Sequence, residues 1–133
     1  MKPKINYHYT ISFKEVNSFE FIKYNNIVDE TCYQHRVIPH FNKIVNNLKF
    51  SPSSRQEVIV TNNMKNNACL ISLQFQIIKQ KLIVIANFRS QCKINGRPND
   101  TKMLRYFATS VMKDLKLSKF KIFVNAGNYH VNV

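Results

Sequence analysis

Residues that break, bend or cross-link a chain are scarce in this sequence. Its 133 residues include two Gly, four Pro, three Cys and no Trp. So few Gly and Pro argue against long disordered or collagen-like segments. The three Cys are odd in number and lack the spacing of metal-binding pairs, so neither a disulfide framework nor a metal site is indicated. Because free thiols persist in reducing compartments, we expect a cytoplasmic protein.

Long apolar segments are also missing. No apolar run approaches the length of a membrane-spanning helix, and the N-terminus lacks the apolar core of a signal peptide. We therefore expect no membrane partner. The 44% share of hydrophobic residues is nevertheless enough for a sizeable core, and 133 residues is the size of one ordinary domain. We expect a single domain over residues 1–133.

Basic side chains outnumber acidic ones. Seven Asp and Glu stand against 20 Lys and Arg, which gives a formal net charge of +13. Such a charge favours polyanionic partners, and both a nucleotide phosphate and a nucleic acid satisfy this condition. The lysines are scattered singly rather than grouped into a basic patch interleaved with aromatic residues. The indication of a nucleic-acid partner is therefore a weak one.

The hydrophobic pattern alternates with period two in several segments and follows the helical period in two. It predicts strands at 5–13, 58–60, 71–77, 82–88, 120–124 and 129–133, and helices near 41–48 and over 101–117. A break at Ala126-Gly127 separates the last two strands. Residues 91–100 form a polar loop, after which Asp100 or Thr101 caps the second helix. Strands outnumber helices without regular alternation, which predicts an α+β fold with a mixed or antiparallel sheet.

Six short motifs follow one another from the first predicted helix onward. They are Ser51–Gln56, Cys69, the Gln-Phe pair at 74–75, the Arg-Ser pair at 89–90, the Gly-x-Pro at 96–98 and Gly127–Asn132. Cys69 stands five residues before Gln74, and Arg89 follows Gln74 by fifteen. In order and spacing these motifs resemble the catalytic half of thymidylate synthase and of its relative deoxycytidylate hydroxymethylase, over roughly residues 41–133. The resemblance implies a thymidylate synthase-like α+β fold with few helices, truncated at both ends.

The resemblance also implies a pyrimidine deoxynucleoside monophosphate as the ligand and Cys69 as the nucleophile. A thiolate that adds to C6 of the pyrimidine makes C5 able to attack a one-carbon donor, so that a methyl or hydroxymethyl group is transferred. A neighbouring guanidinium stabilises a thiolate, and its fork of donors suits a phosphate. By resemblance, Arg89 and Ser90 bind the 5′-phosphate. Arg55 would reach the same phosphate across the interface of a homodimer.

Three further residues match base-binding and sugar-binding positions of the family. Gln74 lies on the strand behind the nucleophile, and His130 would bind the 3′-hydroxyl of the sugar. Asp100 stands where the synthases carry the Asn that reads uracil, and the hydroxymethylases carry Asp at this point. A carboxyl group suits cytosine, because it can accept a hydrogen bond from the exocyclic amine. Both cytosine and uracil remain open.

The chain departs from the family pattern at several positions. Places where the family carries His, Arg, Asp and Tyr are occupied by Leu70, Gln56, Cys92 and Asn132. Glu30 is only a weak match for the catalytic Glu. The family uses a folate one-carbon donor, closed over by a C-terminal segment. Because the sequence ends at Val133, we expect that segment to be absent, which makes a folate cofactor doubtful.

Each candidate residue also fits an ordinary structural role. A lone Cys is usually a buried structural thiol, an Arg is usually a solvated surface charge, and Asp fits a helix cap. Three hypotheses therefore stay open. The first is a one-carbon transferase acting on a pyrimidine nucleotide. The second is a non-catalytic scaffold of the same fold, whose basic surface binds nucleic acid or a larger protein assembly. The third is an unrelated basic domain.

Overall fold

Five strands and three helices account for most of the described part of the chain, which in this computed structural model is residues 2–14, 33–61 and 68–131. The strands are β1 (Lys4–Ile11), β2 (Glu57–Val60), β3 (Leu70–Ile78), β4 (Lys81–Cys92) and β5 (Phe120–His130). The helices are α1 (Tyr33–Val37), α2 (Phe41–Phe50) and α3 (Gly96–Asp114), with a 3₁₀ turn at Ile38–His40. Glu30, Cys32 and Asn132 lie outside the described residues.

The strands form one mixed sheet in the order β1-β5-β4-β3-β2. Neighbours run antiparallel except β4 and β5, which are parallel and pair from Leu82↔Phe120 to Cys92↔His130. Parallel neighbours need a crossover connection, and α3 supplies it between the end of β4 and the start of β5. The expected α+β class with a mixed sheet is confirmed. None of the described helices is long and apolar enough to cross a membrane.

The core lies between one face of the sheet and the helices α2 and α3. Period-two burial directs alternate residues of β4 into it, and Val84 and Ala86 are fully buried. On α2, Phe41 makes edge contacts with Phe75 of β3 and Phe107 of α3, at centroid distances of 6.2 and 5.5 Å. Burying one such Phe side chain contributes about 1.5–3 kcal/mol. This packing holds both helices on the same side of the sheet.

The opposite face of the sheet, which we call the open face, is covered by none of the described helices. In its middle, Ile85 of β4 lies beside Phe123 of β5, which is 38% exposed. Towards the β2 edge, Val58 and Val60 are 47% and 68% exposed. A partly apolar sheet face that lacks a covering layer is typical of a contact surface.

An irregularity in the burial pattern crosses the central strands at one level, and we call this level the kink line. The alternation of buried residues shifts phase there: Phe88 and Gln91 are both buried although they are three residues apart on β4. Ala126 and Tyr129 show the same shift on β5. Irregularities at one level in neighbouring strands change the face of the sheet to which the following side chains point, while the strands continue.

The kink line continues into the neighbouring strands. The register of β3 against β4 shifts between Leu70 and Ser72, and Asn6 of β1 has a φ of 58°. At Gly127 the backbones approach closely, because an added Cβ would lie 2.9 Å from the carbonyl oxygen of Arg89. Glycine is therefore required at this point of the sheet.

The predicted division of the C-terminal segment into two strands is wrong. Residues 120–130 form the continuous strand β5, and Ala126-Gly127 does not interrupt it. The glycine suggested a turn, but its role is to permit the close approach of β4.

The predicted loop and helix cap are also wrong. Strand β4 runs to Cys92 and helix α3 begins at Gly96, so little of the predicted loop 91–100 is irregular. Asp100 and Thr101 lie inside α3 and do not cap it. The N-cap is Asn95, whose side chain makes no capping hydrogen bond.

Candidate functional site

Cys69 and Arg89 meet where the β3–β4 pairing begins. The Arg89 amide donates to the Cys69 carbonyl oxygen at 2.6 Å, and Arg89 Nη2 donates to Cys69 Sγ at 3.4 Å. The thiol is exposed. Backbone pairing therefore sets this contact, and the sulfur combines exposure with an adjacent cation, as a nucleophilic thiol requires.

Ser90 and His130 make a second contact at the same end of the sheet. Ser90 Oγ and His130 Nε2 lie 3.0 Å apart. The parallel pairing of β4 with β5 brings them together, since Ser90 pairs with Asn128 and Cys92 pairs with His130. A hydroxyl and an imidazole can each donate to a sugar or phosphate oxygen. We call Cys69, Arg89, Ser90 and His130 the strand-end cluster.

Asp100 lies on the first turns of α3 and points to the sheet. Its Oδ2 accepts a hydrogen bond from Gln91 Nε2 at 3.0 Å, and Gln91 Oε1 accepts one from the Tyr9 hydroxyl at 2.6 Å. Burial raises the pKa of the Asp100 carboxyl to about 6, although the Gln91 hydrogen bond opposes the shift. The Tyr9 bond fixes the amide orientation of Gln91, so one carboxyl oxygen of Asp100 is engaged by the protein.

Tyr33 on α1 lies close to the predicted nucleophile. Its hydroxyl accepts a hydrogen bond from the Leu70 amide at 3.0 Å. Burial raises the pKa of Tyr33 to about 12; the Leu70 hydrogen bond lowers it, while the charges of Cys69 and Asp100 add to the increase. Cys69, Tyr33 and Asp100 are therefore close enough to interact electrostatically, although they come from three different segments.

Arg36, on α1, also contributes a side chain to this region. Its Nη1 donates to the Thr61 carbonyl oxygen at 3.1 Å, and its charge acts on Tyr33. Among the described residues, its Nη2 is buried and has no hydrogen-bond partner. A buried guanidinium donor without an acceptor is rare in proteins and is a place where a ligand oxygen would bind.

The structure does not bring Arg55 and Gln74 to the strand-end cluster of the same chain. Gln74 Nε2 donates to the Arg55 carbonyl oxygen at 3.2 Å. Gln74 lies further along β3 and faces away from the core, beside the β2 edge of the open face. Arg55 is exposed just before β2. The base-binding role of Gln74 and the phosphate-binding role of Arg55 stay predictions.

Sequence reasoning missed Gln91, Tyr33 and Arg36. Gln91 is only 3% exposed, but period-two alternation does not place it in the core because it follows the phase shift at the kink line. Tyr33 and Arg36 belong to no recognisable sequence motif, and only tertiary contacts place them at the site. Within residues 2–14, 33–61 and 68–131, no group of three His, Cys, Asp or Glu side chains is arranged to hold a metal.

Comparison with known proteins supports the fold. No family model matches the sequence, and no curated protein matches it. The structure is similar to that of thymidylate synthase from T4 phage, with a TM-score of 0.62 and 18% sequence identity. The similarity covers 65% of this chain and 32% of the phage protein, so this chain corresponds to about a third of its length. The chain therefore has a thymidylate synthase-like fold.

Proposed function

We propose that this chain binds a pyrimidine deoxynucleoside monophosphate at the strand-end cluster, and that Cys69 adds to the base as a nucleophile. The observation that carries the proposal is the 3.4 Å contact between Arg89 Nη2 and Cys69 Sγ in a thymidylate synthase-like fold. An exposed thiol beside a cation is a reactive arrangement, and the cation can serve a phosphate as well. The reaction class is one-carbon transfer to C5 of the pyrimidine.

The phosphate and sugar would be bound by groups that neighbouring strands place together. Arg89 offers a planar fork of donors, and the Ser90 hydroxyl lies next to it on β4. His130 lies 3.0 Å from Ser90 and is placed to bind the sugar hydroxyl. The Nη2 donor of Arg36, which has no partner among residues 2–14, 33–61 and 68–131, supplies a further site for a ligand oxygen on the Tyr33 side.

The base would be read by Asp100. Gln91 donates one hydrogen bond to Oδ2, and each carboxyl oxygen has two acceptor sites, so both oxygens can still contact a ligand. With a pKa of about 6, this carboxyl can carry a proton near neutral pH at modest cost. Cytosine presents a ring-nitrogen acceptor beside an amine donor, and a protonated carboxyl donates to the first and accepts from the second. This complementarity favours cytosine over uracil as the base.

The first covalent step involves only the thiolate and the pyrimidine ring. The sulfur forms a bond to C6, and the C5–C6 π pair moves to C5 and the conjugated carbonyl of the ring. C5 is then a nucleophile towards an electrophilic one-carbon donor. Water then takes the C5 proton, the C5–H electron pair re-forms the C5–C6 double bond, and the C6–S bond breaks to release the thiolate.

The described residues do not fit a folate donor. A pterin ring carries amide and amine donors that need acceptors. Where the family carries a carboxylate, this chain has Cys92, whose Sγ lies 3.6 Å from the Val131 carbonyl oxygen. A thiol is a weak acceptor, so the site lacks the group that would hold the ring. No step of the proposed function is therefore assigned to folate.

A homodimer through the open face would complete the phosphate site. The open face exposes apolar side chains such as Phe123 and Val60, and Arg55 lies at its β2 edge. Pairing two open faces would bury these side chains and carry the Arg55 guanidinium towards the partner. This arrangement accounts for an arginine that lies away from the cluster of its own chain.

The test is adduct formation with a 5-fluoropyrimidine deoxynucleotide, because the electron-withdrawing fluorine makes C6 more susceptible to addition of the thiolate. Purified protein is incubated with the cytosine or the uracil compound and examined by intact mass spectrometry. We expect an increase equal to the nucleotide mass, lost in Cys69→Ser and retained in Cys92→Ser, which is the matched control. If the native chain forms no adduct with either compound, or if the adduct survives in Cys69→Ser, the proposed nucleophile is wrong.

A further inference from the structure

A second concave surface lies along α3 and shares none of its residues with the strand-end cluster. This α3 groove has a volume of about 420 Å³ and is lined by Lys93, Arg97, Pro98, Thr101, Lys102, Arg105 and Tyr129. Four of these seven side chains are cationic, and none is acidic. A surface lined by charges of one sign creates a positive potential and attracts a polyanion.

The helix sets the spacing of these cations. Arg97, Thr101 and Arg105 follow at intervals of four residues and therefore share one face of α3. The eight residue steps from Arg97 to Arg105 correspond to about 12 Å of helix. Lys93 extends the row into the segment that joins β4 to α3. The cationic row is thus longer than a single phosphate group.

No carboxylate of α3 neutralises this row. Asp100 turns towards the sheet, where it accepts from Gln91. Asp114 ends the helix, nine residues beyond Arg105, at a distance of about 13 Å along the axis. Neither carboxylate of α3 therefore lies on the row of cations.

Arg97 is ordered by contacts with two tyrosines, and within the described part of the chain Arg105 carries an unpaired donor. Arg97 Nη1 donates to the Tyr129 hydroxyl at 3.0 Å, and the guanidinium carbon lies 3.9 Å from the centre of the Tyr9 ring. These contacts order the side chain before binding. Arg105 Nε is buried and has no hydrogen-bond partner among the described residues. Such a donor is expected to meet an acceptor.

We infer that the α3 groove binds the phosphodiester backbone of a nucleic acid. Arginine and lysine donors spaced along about 12 Å match several phosphates in a row better than one small anion. The lining contains no Leu, Ile, Phe or Trp that could enter a lipid bilayer, so an anionic membrane is the poorer match. The groove offers no exposed aromatic face for base stacking, and binding is therefore independent of sequence.

The inference is tested by fluorescence anisotropy with labelled oligonucleotides of mixed sequence. Single-stranded DNA, single-stranded RNA and duplex DNA are separate arms, and salt is varied between about 50 and about 200 mM. The test variant combines Lys93→Gln, Lys102→Gln and Arg105→Gln, and it leaves Arg97 in place because Arg97 contacts the sheet. We expect binding to weaken about tenfold or more, and the slope of log affinity against log salt to fall in magnitude by about 2.

The matched control removes the same amount of charge outside the groove. It combines Lys49→Gln, Lys79→Gln and Lys119→Gln, all at exposed positions. Native-like binding by this control supports the groove, whereas an equal loss in both triple variants would mean diffuse surface charge and overturn the inference. If the groove triple variant does not fold, the exposed single change Lys102→Gln should still lower the slope by about 0.7.

Three further measurements distinguish a nucleic-acid groove from a small-anion site, a lipid site and the strand-end cluster. Competition by inorganic phosphate as effective as competition by unlabelled oligonucleotide would indicate a small-anion site and overturn the inference. Binding to vesicles containing anionic phospholipid, without binding to any oligonucleotide, would overturn it as well. Cys69→Ser should bind oligonucleotides normally, so failure of nucleotide addition at the strand-end cluster leaves the groove result unaffected.

Discussion

Arg89 Nη2 lies 3.4 Å from Cys69 Sγ although the two residues are 20 positions apart in the sequence. The backbone bond between the same residues shows that strand register sets the contact. A slip of one residue between β3 and β4 would turn the Arg89 side chain to the other face of the sheet and separate the pair. The geometry of the candidate site therefore depends on the register of β3 against β4 rather than on the conformation of a loop.

Replacing Arg89 tests its proposed phosphate role. Arg89→Gln should weaken binding of deoxycytidine monophosphate about tenfold or more, because a charge-assisted hydrogen bond contributes about 1.5–3 kcal/mol. Arg89→Lys should lose nearly as much, since lysine cannot present two parallel donors. Calorimetric titration measures both, with the distant Lys49→Gln as control. Native affinity in Arg89→Gln would contradict the proposed role.

Gly127→Ala tests the close approach at the kink line. The new Cβ would lie 2.9 Å from the Arg89 carbonyl oxygen, so the backbones must separate. We expect a loss of about 1–3 kcal/mol in the free energy of unfolding, measured with urea. Gly96→Ala is the matched control, because its Cβ would meet only ordinary contacts of 3.6 Å or longer at the start of α3. Equal effects of the two changes would argue against crowding at Gly127.

The carboxyl of Asp100 should make stability depend on pH. Burial raises its pKa in the folded state to about 6 from an ordinary 3.8, so between these values the unfolded chain releases the proton and the folded chain keeps it. Its contribution to stability is therefore present below about pH 4 and is lost as the pH rises through 6, by about 3 kcal/mol at most.

Urea unfolding at several pH values measures this effect as the difference between the native chain and Asp100→Asn. The asparagine keeps an oxygen for the Gln91 hydrogen bond but cannot titrate. We expect the native chain to lose stability relative to the variant from about pH 4 to about pH 7. Asp114→Asn, an exposed change at the end of α3, controls for altered net charge. A difference that stays constant with pH would show that Asp100 titrates normally.

Disrupting the open face should separate a homodimer into monomers. Phe123→Asp places a charge in the middle of that face, which cannot be buried without a partner. Sedimentation velocity should show a dimer for the native chain and a monomer for the variant. Phe50→Asp changes an equally apolar residue that is 93% exposed at the end of α2, and it should leave the dimer intact. A native chain that sediments as a monomer would exclude this interface.

The sequence predicted the strands best where burial alternates without interruption. The pattern from Leu82 to Phe88 was sufficient to place that part of β4, because alternate side chains enter one core. It failed beyond Phe88, where the kink line shifts the alternation and buries Gln91. Such a shift depends on contacts between neighbouring strands, which no local pattern contains.

The candidate site was predictable only in part for the same reason. The spacing that placed Cys69 and Arg89 on adjacent strands is a property of the sequence, and the structure brings these side chains together. Helix α3 was expected to start later, because Gly96 and Pro98 indicated a loop, but the helix begins at Gly96 and holds Pro98 in its first turn. Asp100 consequently does not cap the helix and is instead a partly buried hydrogen-bond partner of Gln91.

The pairing of β1 with β5 has a consequence for how the molecule forms. Lys4 pairs with Tyr129 and Ile11 pairs with Ile122, so the two strands pair across more than 100 residues of sequence. During synthesis the backbone groups of β1 that pair with β5 stay unpaired until β5 has left the ribosome. Its exposed charge at Lys4 and its strained residue Asn6 are features that discourage premature pairing with another chain.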